Sequence, residues 1–150
     1  MNPDRFHIDF YETPGGHRPV HRWLTSELTV RQRRLVGVAM YHYLQRFGVD
    51  VCASGFGKAL GDGLYEFRVR HDLPELLRRV GIEHRSMPDE GAPAKVLIRV
   101  FFSVHGGRVV LLLGGYDKAK SPTTKRQQRE IQTARARLRE WRSRETQIPP

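Results

Sequence analysis

Apolar and polar residues alternate most cleanly over 64–70. Tyr65, Phe67 and Val69 fall on one side of an extended chain, and Leu64, Glu66, Arg68 and Arg70 on the other. This is the two-residue period of a strand with one face on a core. A second alternation covers 96–104, with Ile98, Val100, Phe102 and Val104 on one side and Arg99, Phe101 and Ser103 on the other. His105-Gly106-Gly107-Arg108 reads as a tight hairpin turn, because glycine supplies the positive φ that a two-residue loop requires. The return run, 109–113, is apolar at every position, which predicts a central strand covered on both faces. Near the start of the chain, Phe6, Ile8 and Phe10 alternate with His7, Asp9 and Tyr11. Thr13-Pro14-Gly15-Gly16 breaks that strand, and its distance from the hairpin makes it an edge strand.

Helical spacing accounts for the remaining ordered pattern. Val20, Trp23, Leu24 and Leu28 fit a short helix over 19–28. Val36, Ala39, Met40, Tyr43, Leu44 and Phe47 form a stripe over 30–47, with Thr29 as N-cap and Gly48 placed to end the helix in a left-handed conformation. Ile131, Ala134, Leu138 and Trp141 mark a narrow apolar side on a last helix over 125–144, with N-cap candidates between Ser121 and Thr124. The glycine-rich piece around Lys58 reads as a flexible connector with a turn at Asp62-Gly63, and it lacks the GK[ST] of a phosphate-binding P-loop. Residues 71–95 read as an inserted loop, long for a hairpin connection. The order strand, helix, helix, strand, strand, strand, helix predicts one α+β domain over 1–150. The expected architecture is a small antiparallel β-sheet with helices packed on one face.

Charge narrows the function. The chain carries 26 Lys and Arg against 16 Asp and Glu, a net charge of +10. Such an excess favours polyanionic partners, nucleic acid first and an acidic protein second. The strand face with Arg68 and Arg70, with Lys58 upstream, is a cationic surface on which a phosphate backbone could rest. From Tyr116 to the end, ten basic residues stand against four acidic ones, so much of the excess lies beside the exit of the central strand. No apolar run approaches the ~20 residues needed to span a bilayer. The N-terminus has no apolar signal core, which makes a cytoplasmic location the expectation. The single cysteine, Cys52, excludes an internal disulfide and a cysteine-based zinc site, and its apolar neighbours make it a small hydrophobe. Seven scattered histidines contain no HExxH-like pair, so no metal site is expected. His105 reads as a solvated turn residue.

Three stretches together carry a family resemblance: FYETPGGHRPVHRWL, KALGDGLYEFRVR, and IRVFFSVHGGRVVLLLGGYDKAKSPTTKRQQREIQTARARLREW. In this order the chain resembles the phage-derived HigB branch of the RelE/HigB toxins of type II toxin–antitoxin systems. DGLYEFR and LLGGYDKAKSPTTKRQQREIQTA are the most specific parts. The resemblance implies a compact antiparallel sheet with helices and a metal-independent endoribonuclease, with no cofactor, that cleaves messenger RNA on the ribosome. It also implies a cognate antitoxin, often a helix-turn-helix protein. By matched position, Arg68, Arg99, Tyr116 and Lys118 are the catalytic candidates. Lys58, Arg70, Lys120, Lys125 and Arg126 are the basic residues expected to contact RNA. Cleavage through the RNA's own 2′-hydroxyl needs charge stabilisation at phosphate, which arginine supplies through its fork of donors. It also needs a proton for the leaving oxygen, a role open to tyrosine. Asp117 places an acid within the segment assigned to the site. The alternative function is a non-catalytic RNA- or protein-binding inhibitor, also phage-derived, on the same fold.

Overall fold

A computed structural model of the chain describes residues 5–70, 72 and 96–147. Apart from Asp72, the insertion expected over 71–95 lies outside the described residues. The elements are β1 (His7–Phe10), α1 (Pro19–Ser26), α2 (Val30–Ala39), β2 (Gly57–Gly61), β3 (Leu64–Arg70), β4 (Leu97–His105), β5 (Val109–Asp117) and α3 (Thr124–Gln147). Thr29 caps α2 through a capping box with Gln32. The helical path continues beyond α2 through a π-helical turn, Met40–Leu44, and one α turn, Gln45–Phe47. Gly48 ends it at φ 55° and ψ −128°, a positive φ but not the left-handed helical cap expected from the sequence. A Cβ at Gly48 would sit 2.6 Å from the Phe6 ring, so glycine is required there for space as well as for conformation.

The strands form one five-stranded sheet in the order β1-β5-β4-β3-β2. The α+β class stands, but three details of the expected architecture do not. First, β1 pairs parallel to β5, with Ile8 opposite Val110, so the sheet is mixed and not antiparallel. Second, the connector around Lys58 is an edge strand, β2, joined to β3 by a turn in which Asp62 (φ 55°) and Gly63 (φ 81°) both take the positive φ of a tight hairpin. Third, helices cover both faces. One core packs α1 and α2 against Phe67, Val69, Ile98, Val100, Phe102, Val110 and Leu112. The other packs Ala134 and Leu138 of α3 against Leu64, Phe101, Leu111, Leu113 and Tyr116. The apolar run of β5 explains this arrangement. With Val110 and Leu112 facing one way and Leu111 and Leu113 the other, either face left bare would keep large side chains in water.

The long helix is held by polar contacts as much as by its narrow apolar stripe. Arg135 donates to the carbonyls of Leu60 and Gly61, Arg137 to Leu113 and Arg142 to Asp62. Burial pushes the Arg137 guanidinium below its ordinary pKa. His105, expected to be solvated, instead lies half-buried with its ring 4.3 Å from that of Trp141. Nearer the C-terminal end of α3, the Tyr11 hydroxyl donates to Glu140, which is also paired with Arg144 at 2.8 Å.

Two outcomes follow from this packing. A Cβ on Gly115 would meet the Trp23 ring at 2.4 Å and the Arg99 carbonyl oxygen at 3.0 Å. Gly115→Ala is therefore expected to cost about 1–3 kcal/mol by overpacking, read as a lower urea midpoint. The Tyr11 phenol is pushed up to about 12, by burial first and then by its bond to the Glu140 carboxylate. Because the folded value lies above the unfolded one, its contribution is complete below about pH 10 and is lost as pH rises through 12. Tyr11→Phe is expected to lower stability by about 1 kcal/mol at neutral pH and to flatten the decline above pH 10, measured as Tm against pH.

Candidate functional site

The strand register assembles the site. Arg68 of β3 pairs directly with Arg99 of β4, and Arg99 pairs with Tyr116 of β5, so the three occupy one row across the sheet. A bulge makes this row possible. Phe101 pairs with Gly114 and Phe102 with Leu112, leaving Leu113 as an extra residue in β5. The extra residue shifts the alternation by one, which puts Tyr116 on the face of Arg68 and Arg99 and turns Asp117 to the opposite one. Asp117 accepts a hydrogen bond from Gln32 Nε2 of α2 at 2.8 Å and from the backbone N–H of Ala119 at 3.0 Å. The acid that the sequence places within the site thus braces the other face and the turn.

The neighbouring rows carry further cations. Arg70 pairs with Leu97, and the Lys118 N–H donates to the Leu97 carbonyl at 2.8 Å. That bond carries the β5 register one step past its end, which puts Lys118 on the Tyr116 face by alternation. On the other side, Lys58 pairs with Glu66 and is exposed. Lys120 and Lys125 are exposed in the β5–α3 turn and the first turn of α3. Arg126 is half-buried, with its guanidinium 5.9 Å from the Tyr116 ring centre and its Nε 2.8 Å from Glu130. Thr123 caps this helix start by accepting from the Arg126 N–H at 3.2 Å. All nine candidate residues therefore lie along one end of one sheet face or at the helix start beside it.

That end is not the open face expected from the alternation of β3. α3 crosses it, and exposure falls steeply along the row. The Arg68 side chain is 32% exposed and that of Arg70 48%, whereas Arg99 is 8% exposed and Tyr116 1%. Tyr116 stacks nearly parallel to Phe101, at 6.2 Å and 9°. Its ring is not presented for stacking a base. Burial first, and then the Glu66 carboxylate, push its phenol above the ordinary value against the opposing pull of Arg99. The group is a neutral O–H donor at physiological pH, and its oxygen has no hydrogen-bond partner.

Glu66, which pattern reading placed only on an outer face, is the fully buried acid of the cluster. Its Oε1 accepts from Arg68 Nε at 2.9 Å and lies 3.8 Å from Arg99 Nε. Its Oε2 accepts from Gln127 Nε2 of α3 at 3.2 Å. Burial lowers the Arg99 pKa below its ordinary value, and the Glu66 charge works in the opposite direction. Nε and Nη1 of Arg99 make no hydrogen bond. The sequence signal for Glu66 was an acid two residues from an arginine, on the same strand side as the apolar Leu64.

This arrangement supplies donors with no acceptor, held in a partly dry, cationic setting beside the positive end of a helix. It suits a small anion better than a cation. A cleft of about 460 Å³ between β1 and the far end of α3 is lined by Asp9, Glu12 and Glu145 with a single cation, Arg144, and does not suit phosphate. Among the described residues, no three His, Cys, Asp or Glu side chains come together as a metal-ligand set. No described helix is long and apolar enough to cross a membrane. The chain matches no protein-family model, no curated protein and no solved structure.

Removing the orphaned hydroxyl tests the geometry directly. A buried polar group without a partner opposes folding. Tyr116→Phe is therefore expected to leave stability unchanged or raise it by up to about 1 kcal/mol, read as an unchanged or higher urea midpoint. A loss of 1 kcal/mol or more would mean that the hydroxyl is hydrogen-bonded in the folded protein.

Proposed function

We propose that this protein is a RelE/HigB-like toxin of the phage-derived HigB branch, an endoribonuclease that cleaves messenger RNA on the ribosome and is neutralised by a cognate antitoxin. The observation that carries the reading is the single row Arg68–Arg99–Tyr116, with Arg70 and Lys118 in the adjoining row. In this reading Arg68 and Arg99 hold the scissile phosphate and stabilise the charge that develops on it. The 2′-oxygen attacks phosphorus and gives its proton to water, the P–O5′ bond breaks, and Tyr116 Oη, neutral and unpartnered, supplies the proton for the leaving 5′-oxygen. Arg70, Lys118, Lys58, Lys120, Lys125 and Arg126 line the approach of the backbone. The proposed site of action is cytoplasmic, where ribosomes and their messages are.

One observation favours a second reading. Tyr116 is 1% exposed and Arg99 8%, so in this conformation a substrate meets Arg68 and Arg70 before it meets the rest of the row. A module that binds RNA or an acidic protein through the exposed cations, without cleavage, would act as an inhibitor on the same fold. Expression of the chain without its partner separates the two readings. The toxin reading expects growth arrest, with cuts in translated messages detected by primer extension. Arg68→Ala combined with Lys118→Ala, both outside the buried part of the cluster, is expected to relieve the arrest at least tenfold in surviving cells while the far-UV spectrum is unchanged. Normal growth with intact messages, together with salt-sensitive RNA binding in vitro, would replace the toxin reading with the binding one. A small helix-turn-helix protein encoded in the adjacent reading frame is the expected antitoxin.

A further inference from the structure

Arg68 and Arg99 face each other directly across β3 and β4, an arrangement that like charges disfavour. Glu66 resolves it. Two residues before Arg68 on the same strand face, its carboxylate lies within ion-pair distance of both guanidinium groups. Gln127 occupies its second oxygen, so neither oxygen is left to meet a substrate. Two cations against one anion leave the cluster with one positive charge in excess. Around that excess, Arg99 Nε and Nη1 and the Tyr116 hydroxyl have no hydrogen-bond partner. Three donors lack an acceptor, and the charge of the three ionised groups is one anion short.

We propose that Glu66 is a positioning residue that sets both the geometry and the charge of this site, fitting it to one singly charged phosphodiester in preference to a doubly charged terminal phosphate. The inference rests on reading the row as an RNA phosphate site. It adds the residue that orders the row and the class of phosphate the row accepts. Without the carboxylate the two arginines repel, separate and carry one more positive charge. RNA is then held more tightly, but in a geometry that no longer points both forks at one phosphorus.

The test uses the full chain, with 2′-O-methyl RNA as a probe that cannot be cut. The wild-type protein should bind an internal-phosphate oligonucleotide at least as tightly as one that also carries a terminal phosphate. Glu66→Gln should bind the plain oligonucleotide severalfold more tightly at low salt, with a steeper salt dependence, and should favour the terminal phosphate. Its kcat on messenger RNA presented by translating ribosomes should fall at least tenfold while KM does not rise. Glu66→Asp keeps the charge but withdraws the carboxylate from Arg68. It should lose kcat as Glu66→Gln does, without the gain in affinity. The Arg68 Nε–H, bonded to Glu66 in the wild type, should there exchange more slowly than those of exposed arginines, and in both variants its resonance should join theirs. If Glu66→Gln keeps wild-type kcat, salt dependence and phosphate preference, or if its only change is a lower Tm, the proposal is overturned. If the wild-type chain cuts no message in the presence of translating ribosomes, the toxin reading fails by itself, and the affinity, salt and resonance measurements still decide the role of Glu66.

Discussion

The structure depends on a strand that must be dry on both sides. β5 places Val110 and Leu112 toward α1 and α2, and Leu111 and Leu113 toward α3, all of them buried. Once that strand is in the sheet, a helix has to lie on the arginine face as well. α3 has few apolar residues for the task, chiefly Ala134 and Leu138. It compensates by donating arginine hydrogen bonds to backbone carbonyls at Leu60, Gly61, Asp62 and Leu113. Such bonds lock direction and register, which an apolar stripe of four residues, only two of them fully buried, could not do alone. The cover is consequently tight over the middle of the face and thin at its Arg68 end. A graded burial of charge, from 48% exposed at Arg70 to 8% at Arg99, is the result.

The second determinant is the single extra residue in β5. Strict alternation from Leu111 would send Gly115 and Asp117 to the arginine face and Tyr116 to the opposite one. The bulge at Leu113 reverses this. The aromatic hydroxyl joins Arg99, while the acid goes to Gln32 and the turn amides. Gly115 then faces Trp23, where no side chain fits. One inserted residue thus sorts a phenol from a carboxylate, and glycine at 115 avoids the clash with Trp23 that any side chain there would make.

Much of the fold was legible because its signals are local. The alternations of 64–70 and 96–104, the Thr29 cap and the tight turn at Asp62-Gly63 each depend on a few adjacent residues, and each is present, the second as a strand over Leu97–His105. The parallel pairing of β1 was not legible, since nothing within His7–Phe10 distinguishes a parallel from an antiparallel partner 100 residues away. β2 was hidden by its own composition: glycines at 57 and 61 lower strand propensity, and the strand is held by the hydrogen bonds of β3 and by Arg135 of α3. The covering of the second face follows from the doubly apolar β5, a feature visible in the sequence whose consequence for α3 was not drawn from it. At the site, residue types and the shared side of Arg68 and Glu66 could be read. The Arg68–Arg99–Tyr116 row could not, because its last member depends on the bulge at Leu113, and the Gly114-Gly115 that follows it looks in sequence like the end of a strand.

The charge arrangement can be weighed against stability. Two arginines opposed across a strand pair cost free energy, and so does an arginine that is 8% exposed with two N–H groups unbonded. A core optimised for stability alone would replace the set with apolar side chains, since a buried ion cluster is commonly no better than a well-packed hydrophobic one. The set instead retains three charged groups, a neutral phenol without a partner and a glutamine from the covering helix, all within two residue rows of one sheet face. Strain of this kind, concentrated where the rest of the sheet is regular, is a feature that folds concentrate at functional sites. Glu66 makes the strain affordable. By cancelling one of two positive charges it lets Arg68 and Arg99 fold face to face, and by cancelling only one it leaves the row cationic.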